Sequence, residues 1–141
     1  MLTAKDIMKT DVIWVKKQTP IYEVGVLLIK KGITDMPIVE DDMTLAGIIR
    51  EKDILRLCYA DAYEKNKAVE DFMTQLAVHY RESESLKTIC DFMMINRFRE
   101  IPITSTKNQV VGIISMPDIL NYILQSRAVS KGQTQAEGYL R

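Results

Sequence analysis

Two pairs of polar residues have types and a spacing that could do chemistry at the start of a helix. Ser115 and Asp118 are three positions apart, and Arg50 and Asp53 repeat that spacing 65 residues earlier. Free backbone N–H groups and the helix dipole at such a position stabilise a phosphate. A carboxylate one turn later offers two acceptor oxygens for the hydroxyls of a ribose. The alternative is an ordinary helix cap with an acidic first turn, which needs no ligand.

The two pairs are predicted to be unequal, because Arg50 is larger than Ser115 and carries a charge. A serine leaves the helix N-terminus open to a phosphate. An arginine either binds a phosphate through its guanidinium, or lies across the same space, or pairs with Asp53. We therefore expect tighter binding of a weakly charged ligand beside Ser115.

The elements that position these pairs are given by an internal repeat. Residues 6–55 align with residues 71–120 without a gap, and ten of the fifty pairs are identical. Because these identities cluster in one order at one offset, the chain is two copies of one unit. They are Asp6/Asp71, Met8/Met73, Pro37/Pro102, Ile38/Ile103, Gly47/Gly112, Ile48/Ile113, Ile49/Ile114, Asp53/Asp118, Ile54/Ile119 and Leu55/Leu120.

Each copy is predicted to fold as β-α-β-β-α after a short opening turn. In the first helix, Thr19 is a good N-cap, Pro20 suits the first helical position and Gly32 suits the C-terminal stop. The predicted strands are 12–15, 36–40 and 45–50, then 77–80, 101–104 and 110–115. The predicted helices are 19–31 and 51–59, then 85–96 and 116–124.

Composition disfavours several classes of protein. The chain has 19 basic and 19 acidic residues, so we expect no nucleic-acid or anionic-membrane partner. No apolar run is long enough to span a bilayer. One histidine and no cysteine–histidine cluster predict no metal site and no catalytic residues. Cys58 and Cys90 are expected to be buried thiols in the cytoplasm, with a disulfide or redox switch as the alternative.

Four repeated motifs resemble the CBS domain family, whose domains occur in pairs. The chain has an Asp-x-Met opening, an apolar-Pro-apolar strand entry, a Gly-Ile-Ile strand and a strand-to-helix segment ending in Asp-Ile-Leu. The resemblance covers residues 4 to about 125. It implies an α+β fold of two tandem repeats packed as a pseudo-two-fold pair. The predicted domains are repeat 1 (1–65), repeat 2 (66–126) and a flexible C-terminal tail (127–141).

The resemblance also implies two clefts that bind adenosyl ligands such as AMP, ADP, ATP or S-adenosylmethionine. These act as regulatory ligands rather than catalytic cofactors. The first cleft is expected to use Ser115, Asp118, Val12, Ile13, Thr34, Asp35, Met36 and Pro37. The second is expected to use Arg50, Asp53, Ala77, Val78, Arg99, Ile101 and Pro102.

The helices carry more apolar residues than one core requires, which predicts a homodimer. The favoured function is a non-enzymatic sensor that transmits ligand occupancy to a partner protein. A ligand-independent dimerisation or adaptor module is the alternative, and a hydrolase or other enzyme is a weaker third hypothesis.

Overall fold

The structure, a computed structural model, describes residues 1–75 and 77–131, with side chains through residue 126. The first half contains helix α1 (Ala4–Ile7), strand β1 (Val15–Lys16), helix α2 (Ile21–Lys31), strands β2 (Asp35–Val39) and β3 (Leu45–Arg50), and helix α3 (Glu51–Tyr59). A 3-10 turn (Val69–Asp71) opens the second half, followed by β4 (Tyr80–Arg81), α4 (Leu86–Asn96), β5 (Glu100–Thr104), β6 (Val110–Ser115) and α5 (Met116–Lys131). The predicted element order is confirmed in both halves.

Two three-stranded sheets repeat one topology. In each sheet the first strand runs parallel to the middle strand, which pairs antiparallel with the third. Val15 pairs with Ile38 in one sheet, and Tyr80 pairs with Ile103 in the other, at the offset of the sequence repeat. The register shifts after Ile38 and again after Ile103, so even the irregularity is repeated.

The first strand of each repeat is shorter than predicted and begins later. The predicted strands 12–15 and 77–80 are reduced to two residues each, β1 and β4. Before β1, the backbone of Lys9 exchanges two hydrogen bonds with Ile113 of the other sheet, at 3.0 and 2.9 Å. The following residues connect one sheet to the other, so they cannot pair along either strand ladder.

The ends of two helices also differ from the sequence prediction. Pro20 rather than Thr19 is the N-cap of α2, because the Thr19 carbonyl accepts a hydrogen bond from Val69 N–H at 2.9 Å. Gly32 ends α2 at φ 64°, as predicted. Helix α5 continues to Lys131, so residues 127–131 of the predicted tail are helical. Residues 132–141 lie outside the described part of the chain, and the domain boundaries remain a prediction.

Each repeat covers its core with the opening segment of the other repeat. Ala4 and Met8 pack in the core built from β5, β6 and α4, while Val69 and Met73 pack in the core built from β2, β3 and α2. Each folded half of the molecule therefore consists of one sequence repeat without its opening segment, together with the opening segment of the other repeat. This exchange ties the halves together and fixes the space between them.

The repeated glycine of β3 and β6 makes this exchange possible. A Cβ atom on Gly112 would overlap the Met8 sulfur. A Cβ atom on Gly47 would lie 2.7 Å from both the Met73 sulfur and the Thr74 carbonyl oxygen. Only glycine admits the opening segment at these two places.

The cysteines do not meet the expectation of two buried thiols. Cys58 is exposed and Cys90 is partly buried, and both are free. Cys58 lies on α3, which has no fully buried residue, so the apolar pattern around it did not imply burial.

Candidate functional site

Ser115 and Asp118 form a reciprocal cap at the start of α5. The Ser115 hydroxyl donates to the Asp118 carboxylate at 2.7 Å and accepts from the Asp118 backbone N–H at 3.2 Å. The same carboxylate oxygen accepts from Ser115 N–H at 3.4 Å. The helix-cap interpretation is therefore satisfied, and one carboxylate oxygen remains outside the cap.

That second oxygen of Asp118 faces a cation from the opening segment. Lys9 Nζ lies 3.2 Å from Asp118 Oδ1, and the side chains are 63% and 16% exposed. Lys9 is brought here by the exchange of opening segments, because its backbone pairs with Ile113 in the neighbouring strand. The ion pair holds the carboxylate beside an exposed, movable ammonium group.

A cleft of about 400 Å³ opens beside this pair, and we call it the Ser115 cleft. It brings together five of the eight residues predicted for it, namely Ser115, Asp118, Ile13, Thr34 and Asp35, together with Arg99, which was predicted for the second cleft. Its walls come from both repeats and from the opening segment. A molecule bound here would contact elements that are far apart in sequence.

Three residues predicted for this cleft are not among its lining residues. Met36 and Pro37 are buried in β2, and Met36 is fully inaccessible within the core. Val12 is partly buried but is also absent from the lining. The apolar-Pro-apolar motif thus shapes the strand beneath the cleft, and Ile13, Ile33 and Ile113 supply apolar surface instead.

Charged residues surround the Ser115 cleft, and sequence reasoning missed four of them, Lys9, Asp11, Lys31 and Glu100. Three cations line it against four acids, which leaves an excess of one negative charge if all are ionised. The cations are Lys9, Lys31 and Arg99, and the acids are Asp11, Asp35, Glu100 and Asp118. Glu100 aligns with Asp35 at the repeat offset, a signal that could have identified it.

Two of these acids are held in unfavourable surroundings. Burial raises the pKa of Asp35, and the nearby Arg50 charge opposes that shift. Burial also raises the pKa of Glu100, and the negative charge of Asp35 adds to the increase. The Thr34 N–H, 3.5 Å from Glu100 Oε1, favours the ionised form and limits the shift. Additional negative charge in this cleft would be repelled.

The second cleft, which we call the Arg50 cleft, is about 140 Å³. It brings together the predicted Arg50 and Arg99 with Thr34 and Asp35, which also line the Ser115 cleft. The two clefts therefore share a wall at the centre of the molecule.

Arg50 stacks on an aromatic ring instead of pairing with Asp53. Its Cζ lies 4.3 Å from the centre of the Phe98 ring. The Asp53 carboxylate instead accepts from the Arg50 backbone N–H at 3.1 Å and lies 3.7 Å from the Arg56 guanidinium. The Arg50 guanidinium thus occupies part of the cleft and does not pair with Asp53.

The other residues predicted for the Arg50 cleft lie outside its lining. Ile101 and Pro102 are buried in β5, in the position that Met36 and Pro37 occupy in β2. Ala77 and Val78 are partly buried beside β4, and Asp53 is absent from the lining as well. Arg97 and Phe98 also line the cleft, at the positions that Gly32 and Ile33 occupy in repeat 1, and sequence reasoning missed Phe98.

The residues that the structure describes contain neither a membrane-spanning helix nor a metal-binding cluster of side chains. None of their helices is long and apolar enough to cross a membrane. No group of three or more His, Cys, Asp or Glu side chains there is arranged to hold a metal ion.

Comparison with known proteins identifies the repeats. The profile of the CBS domain family matches residues 4–60 and again residues 69–125. The uncharacterized protein YlbB of Bacillus subtilis is 26% identical, and the alignment covers 99% of each chain. The Methanocaldococcus jannaschii protein MJ1225 is 29% identical across 92% of this chain but only 46% of its own length. This chain thus spans about half of MJ1225.

Two solved structures share the architecture. The complex of CBSX2, a CBS-pair protein from Arabidopsis thaliana, with AMP is 25% identical and has a TM-score of 0.81, covering 90% of this chain and 99% of that one. The CBS domain pair of MJ0100, in complex with 5′-methylthioadenosine and S-adenosylmethionine, is 27% identical with a TM-score of 0.75. It covers 86% of this chain and 95% of its own. Both of these neighbours were solved in complex with adenosyl compounds.

Proposed function

Since the chain belongs to the CBS domain family and carries two CBS domains in tandem, we propose that it is a regulatory module that binds an adenosyl ligand in the Ser115 cleft. The observation that carries this proposal is the Ser115–Asp118 pair, which lies at the N-terminus of α5 in a cleft lined by both repeats. The AMP complex of CBSX2 and the MJ0100 complex support the ligand class.

Each part of the ligand would meet a chemically matched group. The Asp118 carboxylate accepts hydrogen bonds from the ribose hydroxyls once Lys9 swings away, and the exposed Lys9 ammonium remains available to a phosphate. The positive end of the α5 dipole stabilises the same phosphate, while the Met116 and Asp118 N–H groups already donate to the Arg99 carbonyl and the Ser115 hydroxyl. Ile13 and Ile33 offer apolar surface for the adenine.

The charges of the cleft favour a ligand with little negative charge. The lining has one more acid than cation when all of these groups are ionised. Adding a triphosphate would increase the repulsion between like charges in a partly buried space. We therefore rank adenosine, AMP and S-adenosylmethionine above ATP at this cleft.

Regulation follows from where the cleft lies. Residues of repeat 1, repeat 2 and the exchanged opening segment all line it. A ligand that binds one arrangement of these elements better than another shifts their equilibrium by that difference in affinity. A partner protein that recognises the favoured arrangement would read the occupancy without any catalysis by this chain.

Homodimerisation is part of the proposal and is supported by the exposed apolar side chains of the helices. Three pairs of them occupy equivalent positions of the two repeats. They are Ile29 and Met94 (85% and 64% exposed), Leu55 and Leu120 (56% and 57%), and Tyr59 and Leu124 (91% and 58%). A face that each repeat presents in the same way suits a symmetric interface with a second copy.

A cytoplasmic location is also proposed. Two free cysteines, one of them exposed, are typical of a reducing compartment. Adenosyl metabolites are the ligands that the fold and the cleft favour. Secretion with a disulfide between Cys58 and Cys90 would contradict this part of the proposal.

A thermal-shift panel tests the ligand. The protein is melted with adenosine, AMP, ADP, ATP, S-adenosylmethionine or GTP, and a ligand at 100 times its dissociation constant should add about 2.7 kcal/mol of stability. Adenosine, AMP or S-adenosylmethionine should raise the melting temperature, whereas GTP should not. If no adenine compound does so at millimolar concentration, the adaptor function replaces the sensor function.

A further inference from the structure

Lys9 is paired with the carboxylate oxygen that a ribose in the Ser115 cleft would use. Its Nζ lies 3.2 Å from Asp118 Oδ1, while Asp118 Oδ2 is engaged in the cap with Ser115. Both oxygens of this carboxylate therefore have partners within the chain. A ribose hydroxyl gains access to Oδ1 only when the ammonium group leaves it.

The backbone of Lys9 is fixed, whereas its side chain is free to move. Its backbone exchanges hydrogen bonds of 3.0 and 2.9 Å with Ile113, and the preceding Met8 packs against Gly112. The side chain is mostly exposed and ends in a flexible four-carbon stem. Ligand binding thus requires the movement of one side chain and leaves the opening segment in place.

The equivalent position of repeat 1 has no lysine. Thr74 aligns with Lys9 at the offset of 65 and makes the same pair of backbone hydrogen bonds to strand β3, at 2.9 and 3.0 Å. The carboxylate that corresponds to Asp118 is Asp53, which lies 3.7 Å from Arg56 of its own helix. Because the fold accepts threonine at this position, the lysine is a property of the Ser115 cleft and not a requirement of the fold.

This lysine affects neutral and anionic adenosyl ligands in opposite directions. A neutral ligand such as adenosine separates the ammonium group from Asp118 and offers it no other anion, so the free energy of the ion pair is lost. A ligand with a phosphate offers a second anion in the same cleft, which Lys9 and Ser115 both line. The ammonium group then exchanges a carboxylate for a phosphate, and its charge stays paired.

The other cations of the cleft do not have this double effect. Lys31 and Arg99 also line the cleft, and within the described residues neither forms an ion pair with an acid. They attract an anionic ligand without opposing a neutral one. Lys9 is therefore the side chain whose contact with the ribose-binding carboxylate links the two effects.

We propose that Lys9 is a specificity-determining residue of the Ser115 cleft, where it competes with ribose for Asp118 and so selects AMP over adenosine. This inference rests on the proposed adenosyl function and deepens it, because it assigns the discrimination between two adenosyl ligands to one side chain. Further phosphates gain no second lysine of this kind and meet the acids of the cleft, so the preference is for a monophosphate.

Calorimetric titrations of adenosine and of AMP into the wild type and Lys9→Met test the inference. Methionine keeps most of the length of the side chain and removes its charge. Adenosine should bind Lys9→Met about two- to fivefold more tightly, the range expected when a partly exposed competing ion pair is lost. The ratio of AMP affinity to adenosine affinity should fall by about tenfold, because the phosphate loses a charged donor.

Three further variants separate competition for Asp118 from a change in folding, which melting temperatures check. Lys5→Met is the matched control, because Lys5 is an exposed cation of the same opening segment that does not line the cleft, and it should bind both ligands as the wild type does. Lys9→Arg keeps the charge and should retain the preference for AMP. When Asp118→Ala is already present, adding Lys9→Met should no longer tighten adenosine binding.

The outcomes distinguish this inference from the proposed function. If adenosine and AMP bind the wild type and Lys9→Met leaves their affinity ratio unchanged, Lys9 does not determine specificity and the adenosyl function stands. Weaker binding of adenosine to Lys9→Met would show that the lysine assists ribose instead of competing with it, which also overturns the inference. Failure of every adenosyl compound to bind either protein at millimolar concentration rejects the proposed function, and the inference with it.

Discussion

At the scale of single residues, the Ser115 cleft holds its key carboxylate in two interactions that serve different purposes. One oxygen of Asp118 caps the helix through Ser115, and the other pairs with Lys9. The cap is a local interaction that any chain with this sequence can form. Lys9 belongs to a segment that is distant in sequence, so the ion pair forms only when the two repeats are packed together. A ribose would replace the lysine without disturbing the cap.

The first residue-scale prediction concerns the two aspartates. Asp118→Ala should weaken AMP binding by about ten- to a hundredfold, because a charge-assisted hydrogen bond to ribose contributes roughly 1.5–3 kcal/mol. Asp53→Ala is the matched change in repeat 1 and should have a smaller effect, because Asp53 does not line the Arg50 cleft. Calorimetric titration of both variants measures the difference. Equal losses of affinity would remove the asymmetry between the clefts.

The second residue-scale prediction concerns Glu100. Its pKa is raised in the folded protein by burial and by Asp35. The folded state therefore binds this proton more tightly than the unfolded state, and stability falls as pH rises through the interval between the unfolded and folded pKa values. Glu100→Gln should stabilise the protein at neutral pH, and the advantage should shrink as the pH drops below the unfolded pKa.

Melting curves recorded from a pH below the unfolded glutamate pKa of about 4.3 up to neutral pH measure this effect. Glu64→Gln serves as the control, because Glu64 is exposed and its pair with Lys67 is a surface ion pair of little energetic value. If the melting temperatures of Glu100→Gln and the wild type differ by the same amount at every pH, burial of the ionised Glu100 carboxylate does not destabilise the protein.

At the scale of elements, the molecule depends on the exchange of its opening segments. α1 packs on the second core and the 3-10 turn packs on the first, so neither repeat completes its core from its own sequence. The exchange also carries Lys9 to Asp118 and sets one side of the Ser115 cleft. The glycine pair of β3 and β6 is therefore a requirement of the site as well as of the fold.

The element-scale prediction contrasts two glycines. Gly112→Ala should lower the free energy of unfolding by about 1–3 kcal/mol, because the added methyl group displaces Met8 from a packed contact. Gly25→Ala in α2 is the control, since its Cβ would lie 3.9 Å from Ile54 and a helical alanine is favoured by roughly 1 kcal/mol. Urea denaturation of the two variants should give effects of opposite sign. Equal stabilities would mean that the opening segment tolerates displacement.

At the scale of the whole molecule, the two halves share topology and differ in chemistry. Their strands pair in the same register, yet one cleft carries a small negative excess and the other a positive excess. Thr34, Asp35 and Arg99 line both, so a ligand that moves this shared wall would alter the second site. Two unlike clefts in contact are a means of responding to two ligands together.

The whole-molecule prediction is the oligomeric state. Light scattering at micromolar concentration should give twice the mass of one chain. The double variant Leu55→Lys with Leu120→Lys should be monomeric, because it places charges on the two equivalent apolar faces. Thr106→Lys, in an exposed turn, is the control and should remain dimeric. A wild-type monomer would reject the interface.

The sequence by itself determined the features that depend on local order. The repeat at one offset predicted the element order, the strands β3 and β6 and the helix stop at Gly32, because periodicity and backbone preference are properties of neighbouring residues. It also placed Ser115, Asp118, Ile13, Thr34 and Asp35 in one cleft through the resemblance to a family. Those residues lie at or near the ends of strands and helices, and the sequence predicts these ends from its local turn and capping residues.

Only the tertiary structure decided what depends on distant segments meeting. The Lys9–Asp118 ion pair follows from the exchange of opening segments, and the Arg50–Phe98 stack follows from the packing of one repeat on the other. Met36 and Ile101 were expected at the ligand but are buried, because the pairing of β2 and β5 turns them into the cores. A repeat shows that two units are alike. How far their clefts differ is decided by the side chains that each unit receives from the other.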